Sequence, residues 1–229
     1  MVGGPPHQHA GPRLHRLTKD PPAPHRSRPR GGTLQGATGG QSRPARRVSG
    51  LLDGGSSVGV ELLTTVRLRL RAWTTDDADL ARLADLYGRD EVTRWLGGPP
   101  TVTPAELVER WRLVHELDAR HGCWAIDPVD GGPPAGTVLL KPLPDGVGEV
   151  EVGWHLHPDS WGRGFATEAA RAVLDRAFDD GLLEVYAVVR PGNERSLAVC
   201  RRLGMHPLGR TTRWYHRELE AFRLDSPAA

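Results

Sequence analysis

The sequence predicts an α/β (α+β) domain, one mixed sheet flanked by helices behind a disordered N-terminal tail, and three observations carry that expectation. Composition breaks near residue 57. Residues 1–50 hold nine basic residues against one acid, Asp20, with eight prolines, nine glycines and no aromatic residue, whereas all seven tryptophans lie between Trp73 and Trp214. Past the break, short alternating or apolar runs interleave with runs of helical period, in the order β-α-α-β-β-β-α-β-α-β-β. The remaining stretch of about 170 residues is the size of one domain.

The tail, residues 1–57, has too little apolar surface to offset the entropy of ordering it. Residues 1–50 carry +8 against a total of +2, so the remainder of the sequence, which includes the domain at 58–229, is acidic at −6. Three readings of the tail stand side by side. Its arginines attract nucleic acid or acidic surfaces, or it is a targeting peptide, or it is a solvated extension such as an over-extended reading frame leaves. The targeting reading lacks an apolar run after Arg46-Arg47, and proline and glycine prevent an amphipathic transit helix. No run is apolar for long enough to span a membrane. Cys123 and Cys200 are the only cysteines; they make neither a disulfide framework nor a CxxC site, and are compatible with a reducing cytoplasm.

VRLRLR (66–71) is the first strand, with Val66, Leu68 and Leu70 on one face. Trp73 to Asp77 opens a helix with a hydroxyl cap and acids in the first turn; Leu80, Leu83, Ala84 and Tyr87 supply its buried stripe and Gly88 its stop. A second helix starts at Thr103-Pro104, where proline is tolerated, and carries Leu107, Trp111, Val114 and Leu117. CWAI (123–126) and GTVLLK (136–141) form a hairpin across a turn-rich link. EVEVGWHL (149–156) places Glu149, Glu151 and Gly153 on one face and Val150, Val152, Trp154 and Leu156 on the other. Ala166, Ala169, Ala170, Val173, Leu174, Ala177 and Phe178 form the stripe of the third long helix, which Gly181 ends. EVYAVV (184–189) suits an interior strand, SLAVCRRL a short helix opened by Asn193 and Ser196 and closed by Gly204, and RTTRWYH with ELEAFRL a terminal hairpin.

SWGRGFATEA (160–169) sets small residues at 162, 164 and 166 in the mouth of that third helix. A helix N-terminus leaves amide hydrogens unpaired at the positive end of its dipole, and a preceding loop without bulky Cβ atoms lets a diphosphate approach them. Arg163 adds a cation. Two other readings stay open: glycines serving only a tight strand-to-helix turn, and a dinucleotide fold. The second is weak, because Thr167 stands where that fingerprint wants a third glycine and Glu184 opens the next strand rather than ending it.

GEVEVGWHLHPDSWGRGFATEAARAVLDRAF followed by NERSLAVCRRLGM resembles the GNAT superfamily of acyl-CoA-dependent N-acetyltransferases, more closely its RimJ/RimL-type branch, which modifies the N-termini of ribosomal proteins. The resemblance runs from about Val66 to Leu224. It implies a single GNAT-type domain with a mixed, mostly antiparallel sheet and acetyl-CoA as co-substrate. It further implies strands at 150–156 and 184–189 that splay apart, with the pantetheine arm along the first at Trp154 and Leu156. The pyrophosphate would rest on the amides of Gly162, Arg163, Gly164, Phe165 and Ala166, beside Trp161, where the superfamily often has Gln or Arg. Asn193 matches the pantetheine-contacting position.

Transfer to an amine requires the amine neutral, the carbonyl polarised and the thiolate stabilised. At pH 7, deprotonating an α-amine costs about 1 kcal/mol and a lysine about 4.6 kcal/mol. The resemblance makes Glu151 the candidate base, with Glu149 on the same face as the fallback; the bland alternative is two solvated strand positions. A backbone amide near His155 or Leu156 would polarise the carbonyl. The superfamily's acid, a tyrosine, is replaced here by Cys200, expected in the core. Ser196 matches a thiolate donor, and helix capping is its alternative role. His155 and His157 lack a third ligand, so no metal is expected. Trp95, Trp111 and Trp124 either wall an acceptor pocket or belong to the core. The expected activity is direct attack of a primary amine, a protein N-terminal α-amine or a small-molecule amine, in a ternary complex in the cytoplasm. The alternative is a non-catalytic acyl-CoA-sensing module. The expected partners are the amine acceptor, no membrane, nucleic acid only through the tail, and either no second copy or one, as monomer or homodimer.

Overall fold

The computed structural model describes residues 62–227 and the backbone of 46–47. The remainder of the predicted 1–57 tail lies outside the described residues; Arg46–Arg47 (β1) pairs antiparallel with Leu63–Thr64 (β2). The described sheet has nine strands in the order β1-β2-β3-β4-β5-β6-β7-β9-β8. They are β3 Leu68–Ala72, β4 Gly122–Pro128, β5 Gly136–Pro142, β6 Val150–Leu156, β7 Glu184–Val189, β8 His206–Thr211 and β9 Leu219–Asp225. Every neighbouring pair is antiparallel except β6 and β7, so the sheet is mixed and mostly antiparallel.

Helices cover both faces. Trp124 and Ile126 of β4 join Val150 and Val152 of β6 and Val185 and Ala187 of β7 in one core, sealed by α4 (Phe165–Asp179) and α5 (Glu194–Leu203). Ala125, between two of those residues on β4, packs instead with Trp73, Leu83, Leu86 and Tyr87, under α1 (Asp77–Gly88) and α3 (Pro104–Leu117). The two-residue period of the strand makes this division. Glu151, between Val150 and Val152, therefore belongs to the α1–α3 face.

Local departures from the sequence expectation have plain causes. Val66 is 88 % exposed and precedes β3. On α1 the cap is Asp76, whose side chain accepts the Asp79 N–H; Ala84 is exposed, while Leu86 and Asp79 are buried. On α3, Thr103 and Glu106 form a reciprocal capping box, but Leu117 is 86 % exposed because the buried line runs through Val108 and His115. A four-residue helix, α2 (Asp90–Thr93), follows α1 too briefly to leave a periodic signal. The first strand of the terminal hairpin is His206–Thr211, not 210–216; Tyr215 and His216 have φ of 60° and 48° and belong to the connection into β9.

Candidate active site

β6 and β7 share a single bridge, Glu151 opposite Tyr186, and no further pairing toward their C-terminal ends. On its other edge β6 is paired with β5 along its whole length. The edge of β6 beyond Glu151 is thus open, and an extended chain can pair with it as an added strand would. The opening leads into a cavity of about 750 Å3. Trp154, Leu156, Trp161, Gly162, Gly164, Phe165, Ala166, Asn193 and Ser196 line one end, and Glu91, Trp95, Leu96, Tyr215 and Arg217 the other, with Glu151 and Lys141 between.

At the first end, Gly162 and Gly164 have φ of 77° and 80°, and Gly164 is the N-cap of α4. L side chains rarely adopt such angles. A Cβ built on Gly162 meets no atom within 4 Å, and one on Gly164 meets Arg67 Nη2 at 3.4 Å, so the mouth of α4 is open at Gly162 to the close approach of a ligand. Trp161 donates from its indole to the Leu156 carbonyl at 2.8 Å, and Arg195 stacks on its ring at 4.3 Å. Arg195 and Arg202 of α5 bring cations to this end of the cavity. Arg163 does not join them. Its guanidinium lies over Phe165 at 4.3 Å and faces Asp130 at 3.7 Å, outside the cavity wall, because the turn points its side chain away from the helix mouth.

Glu151 is 5 % exposed and far from the solvated position considered above. Lys141, its cross-strand partner on β5, places Nζ 2.6 Å from the carboxylate. The Tyr215 phenol donates to the same carboxylate and accepts from Lys141 at 2.8 Å. Burial opposes the charge on Lys141, but Glu151 and Tyr215 outweigh it and hold the ammonium above the ordinary lysine range. Burial, reinforced by the Glu151 charge, pushes the Tyr215 phenol up to about 12 and keeps it protonated. Glu149 is not at the site. It accepts the Val147 N–H at 2.6 Å and pairs with Arg213, so its carboxylate is spent on the loops beside β6.

Asn193 caps α5, accepting the Ser196 N–H at 3.3 Å, which leaves capping to Asn193 rather than Ser196. Cys200 is fully buried in the core, and burial raises its thiol to about 12. His155 shares a 2.9 Å hydrogen bond with the Tyr87 hydroxyl, and burial drives it down to about 4. His157 turns to Asp85 at 2.9 Å. The two rings thus have separate partners, and among the described residues no group of three His, Cys, Asp or Glu could hold a metal. Of the three tryptophans, Trp95 lines the cavity, Trp124 is core, and Trp111 packs against Trp73 and Tyr87.

Lys141 and Tyr215 were missed from the sequence. The lysine ending an otherwise apolar strand was a signal, but its pairing with Glu151 depends on a register that no local pattern states. Tyr215 lies inside RTTRWYH, whose pattern suits a strand rather than a turn.

Residues 67–206 match the family described as "Acetyltransferase (GNAT) domain". A curated relative, the uncharacterized N-acetyltransferase p20 of Bacillus licheniformis, is 26% identical over 153 residues, covering 66% of this chain and 85% of its own. The crystal structure of an acetyltransferase from Agrobacterium tumefaciens str. C58 superposes with a TM-score of 0.60 at 27% identity, over 76% of this chain and 99% of that one. The RimL ribosomal L7/L12 α-N-protein acetyltransferase in complex with coenzyme A has the same fold, with a TM-score of 0.60 at 18% identity over 72% of this chain and 97% of its own.

Proposed function

Because this chain belongs to the GNAT acetyltransferase family, we propose that it transfers an acetyl group from acetyl-CoA to a primary amine by direct attack in a ternary complex, with Glu151 taking the proton. Acetyl-CoA supplies the acyl carbonyl in thioester form, activated toward amines. The residues present fit it: the open glycine mouth of α4 offers amides at 162–166 to the pyrophosphate, and Arg195 and Arg202 add positive charge. The free edge of β6 at Trp154 and Leu156, with Asn193 across the cleft, suits the pantetheine arm. Ser196 lines the cavity where a hydroxyl can donate to the departing sulfur.

The observation that carries this reading is the position of Glu151. It sits on the α1–α3 face at the fork of β6 and β7, while the glycine mouth belongs to the helix sealing the other face. Donor and acceptor can therefore meet at the fork from opposite faces of the sheet. Lys141 and Tyr215 hold the carboxylate in one place, oriented toward the cavity. A protein N-terminal α-amine, as in the RimJ/RimL-type branch, is the acceptor we favour. Its deprotonation at pH 7 costs about 1 kcal/mol, against about 4.6 for a lysine. Among the described residues, Glu91 and Glu151 are the only carboxylates that line the cavity. We place the reaction in the cytoplasm, with which two unpaired, buried thiols are compatible.

Glu151→Gln keeps the shape and removes the base. Turnover, followed as free thiol released from acetyl-CoA with N-terminal peptides and small amines, should fall at least about 100-fold. Affinity for acetyl-CoA should be unchanged. Undiminished turnover would remove Glu151 from the mechanism. No turnover in the wild type with any amine, despite tight acetyl-CoA binding, would favour the sensing module instead.

A further inference from the structure

We propose that the outer end of the cavity is a carboxylate seat built by Arg190 and Arg217 with Arg94 beside them, and that the enzyme therefore prefers acceptors carrying an acidic group near the reactive amine. This deepens the acetyl-transfer reading and rests on it.

The two arginines are brought together by strand pairing. Arg190 follows β7 and Arg217 precedes β9, and Val189 pairs with Glu220 where those strands meet. Both are half-buried. Arg190 donates one Nη to the Arg94 carbonyl at 2.9 Å; Arg217 donates Nε to the Tyr215 carbonyl and Nη1 to the Leu96 carbonyl, each at 3.1 Å. These bonds fix the guanidiniums without neutralising them, and each keeps further N–H donors. Arg94 lies over the Trp95 ring at 4.9 Å. Among the described residues no carboxylate comes within 4 Å of any of the three guanidiniums.

Glu218 faces Arg210 at 3.2 Å and Glu151 faces Lys141, while Glu91, 4.0 Å from an Arg89 already held by Asp85, is one acid against three arginines. The local field at this end is therefore positive, opposite in sign to the domain's net charge. An adjoining pocket of about 360 Å3 shares Trp95, Arg190 and Arg217 with the main cavity, so there is room for a group to sit against the guanidiniums. Tyr215 joins the seat to the base: its phenol holds Glu151 and its carbonyl holds Arg217. An acceptor whose amine reaches Glu151 thus carries its next few atoms past the arginines. A carboxylate there gains charge-assisted, fork-shaped hydrogen bonds, whereas a polycation is repelled.

The carboxylate has two sources, an acidic side chain near the N-terminus of a peptide or the α-carboxylate of a free amino acid. The test measures kcat/KM for the full chain with acetyl-CoA. One arm uses peptides with the same first residue and Asp, Asn or Lys at positions two to four; the other uses amino acids against their amides; spermidine serves as the polycation. Acidic acceptors should exceed their neutral twins by about tenfold, mainly through KM, with the gap closing as salt rises. The arm that shows the gap identifies the source. Arg190→Gln and Arg217→Gln should each shrink it. Equal use of Asp, Asn and Lys peptides together with amino acids no better than amides overturns the proposal, as does a gap that survives both substitutions. If either variant fails to fold, the wild-type panel and its salt dependence still decide. Absence of transfer to every amine overturns the acetyl-transfer reading and this proposal with it, whereas transfer without charge preference overturns this proposal alone.

Discussion

Tyr215 holds a left-handed backbone (φ 60°), followed by a second at His216 (φ 48°), conformations uncommon for residues other than glycine. The turn they make carries the phenol over the sheet to Glu151, while Trp214 beside it anchors the connection against Tyr186 at ring-centroid distance 5.6 Å. Tyr215→Phe keeps the ring against the Lys141 ammonium (5.3 Å) and deletes the one hydroxyl that bridges Lys141 and Glu151. We expect kcat to fall about tenfold with KM for acetyl-CoA unchanged, since one oriented hydrogen bond is lost and the cofactor end is untouched. Steady-state kinetics with both substrates varied checks this; an altered acetyl-CoA KM at full kcat would contradict it. At this scale the sequence was half legible. Strand alternation set Glu151 apart from Val150 and Val152, but it could not separate Glu151 from Glu149, because only the tertiary contacts of Arg213 and Val147 remove the latter. Arg163 illustrates the same limit: its place between two glycines was visible, while the direction of its side chain depended on Phe165 and Asp130.

Among elements, the long ones were readable because their periods repeat. The stripe of α4 and the apolar runs of β4, β5 and β7 leave several matching positions each. α2, four residues long, and the true extent of β8 leave none. The buried acid of α1 was equally invisible: nothing in the local pattern sets Asp79 apart from the exposed acids beside it, yet it is 3 % exposed. It accepts both Nη groups of Arg71, at 2.6 and 2.8 Å, and the Thr74 N–H at 2.8 Å. Arg71 in turn reaches Asp127 on β4 at 2.6 Å, so this cluster fastens α1 to the sheet. Asp79→Ala should destabilise the protein by about 2–3 kcal/mol, less than for a fully buried pair because Arg71 is part-exposed and keeps Asp127. Asp77→Ala, at an exposed acid two residues earlier, should stay within about 0.5 kcal/mol. Urea unfolding of the two variants compares them directly; equal losses would show that the cluster contributes no more than a surface charge.

For the molecule as a whole, one break in the sheet organises everything else. Among the described residues eight neighbouring strand pairs build the sheet, seven of them antiparallel; only β6 and β7 run parallel, and they part after Glu151. That parting opens a route between the face under α4 and α5 and the face under α1 and α3. The glycine mouth lies at one end of the route and Tyr215, Glu91 and the arginines at the other. Alternating side chains along each strand announced two faces, and the glycine-rich stretch announced the start of α4. The pairing order that makes the two ends meet could not be read from local patterns, since it is set by contacts between distant segments. The proposed mechanism needs the cofactor's pyrophosphate to bind at the helix mouth, and calorimetric titration of acetyl-CoA into wild type and Gly162→Val reads that binding. A side chain at 162 would project into space the protein leaves empty. The wild type should bind saturably at one site per chain, and the variant at least about tenfold more weakly. No saturable heat in the wild type, or equal affinity in a folded Gly162→Val, would contradict it.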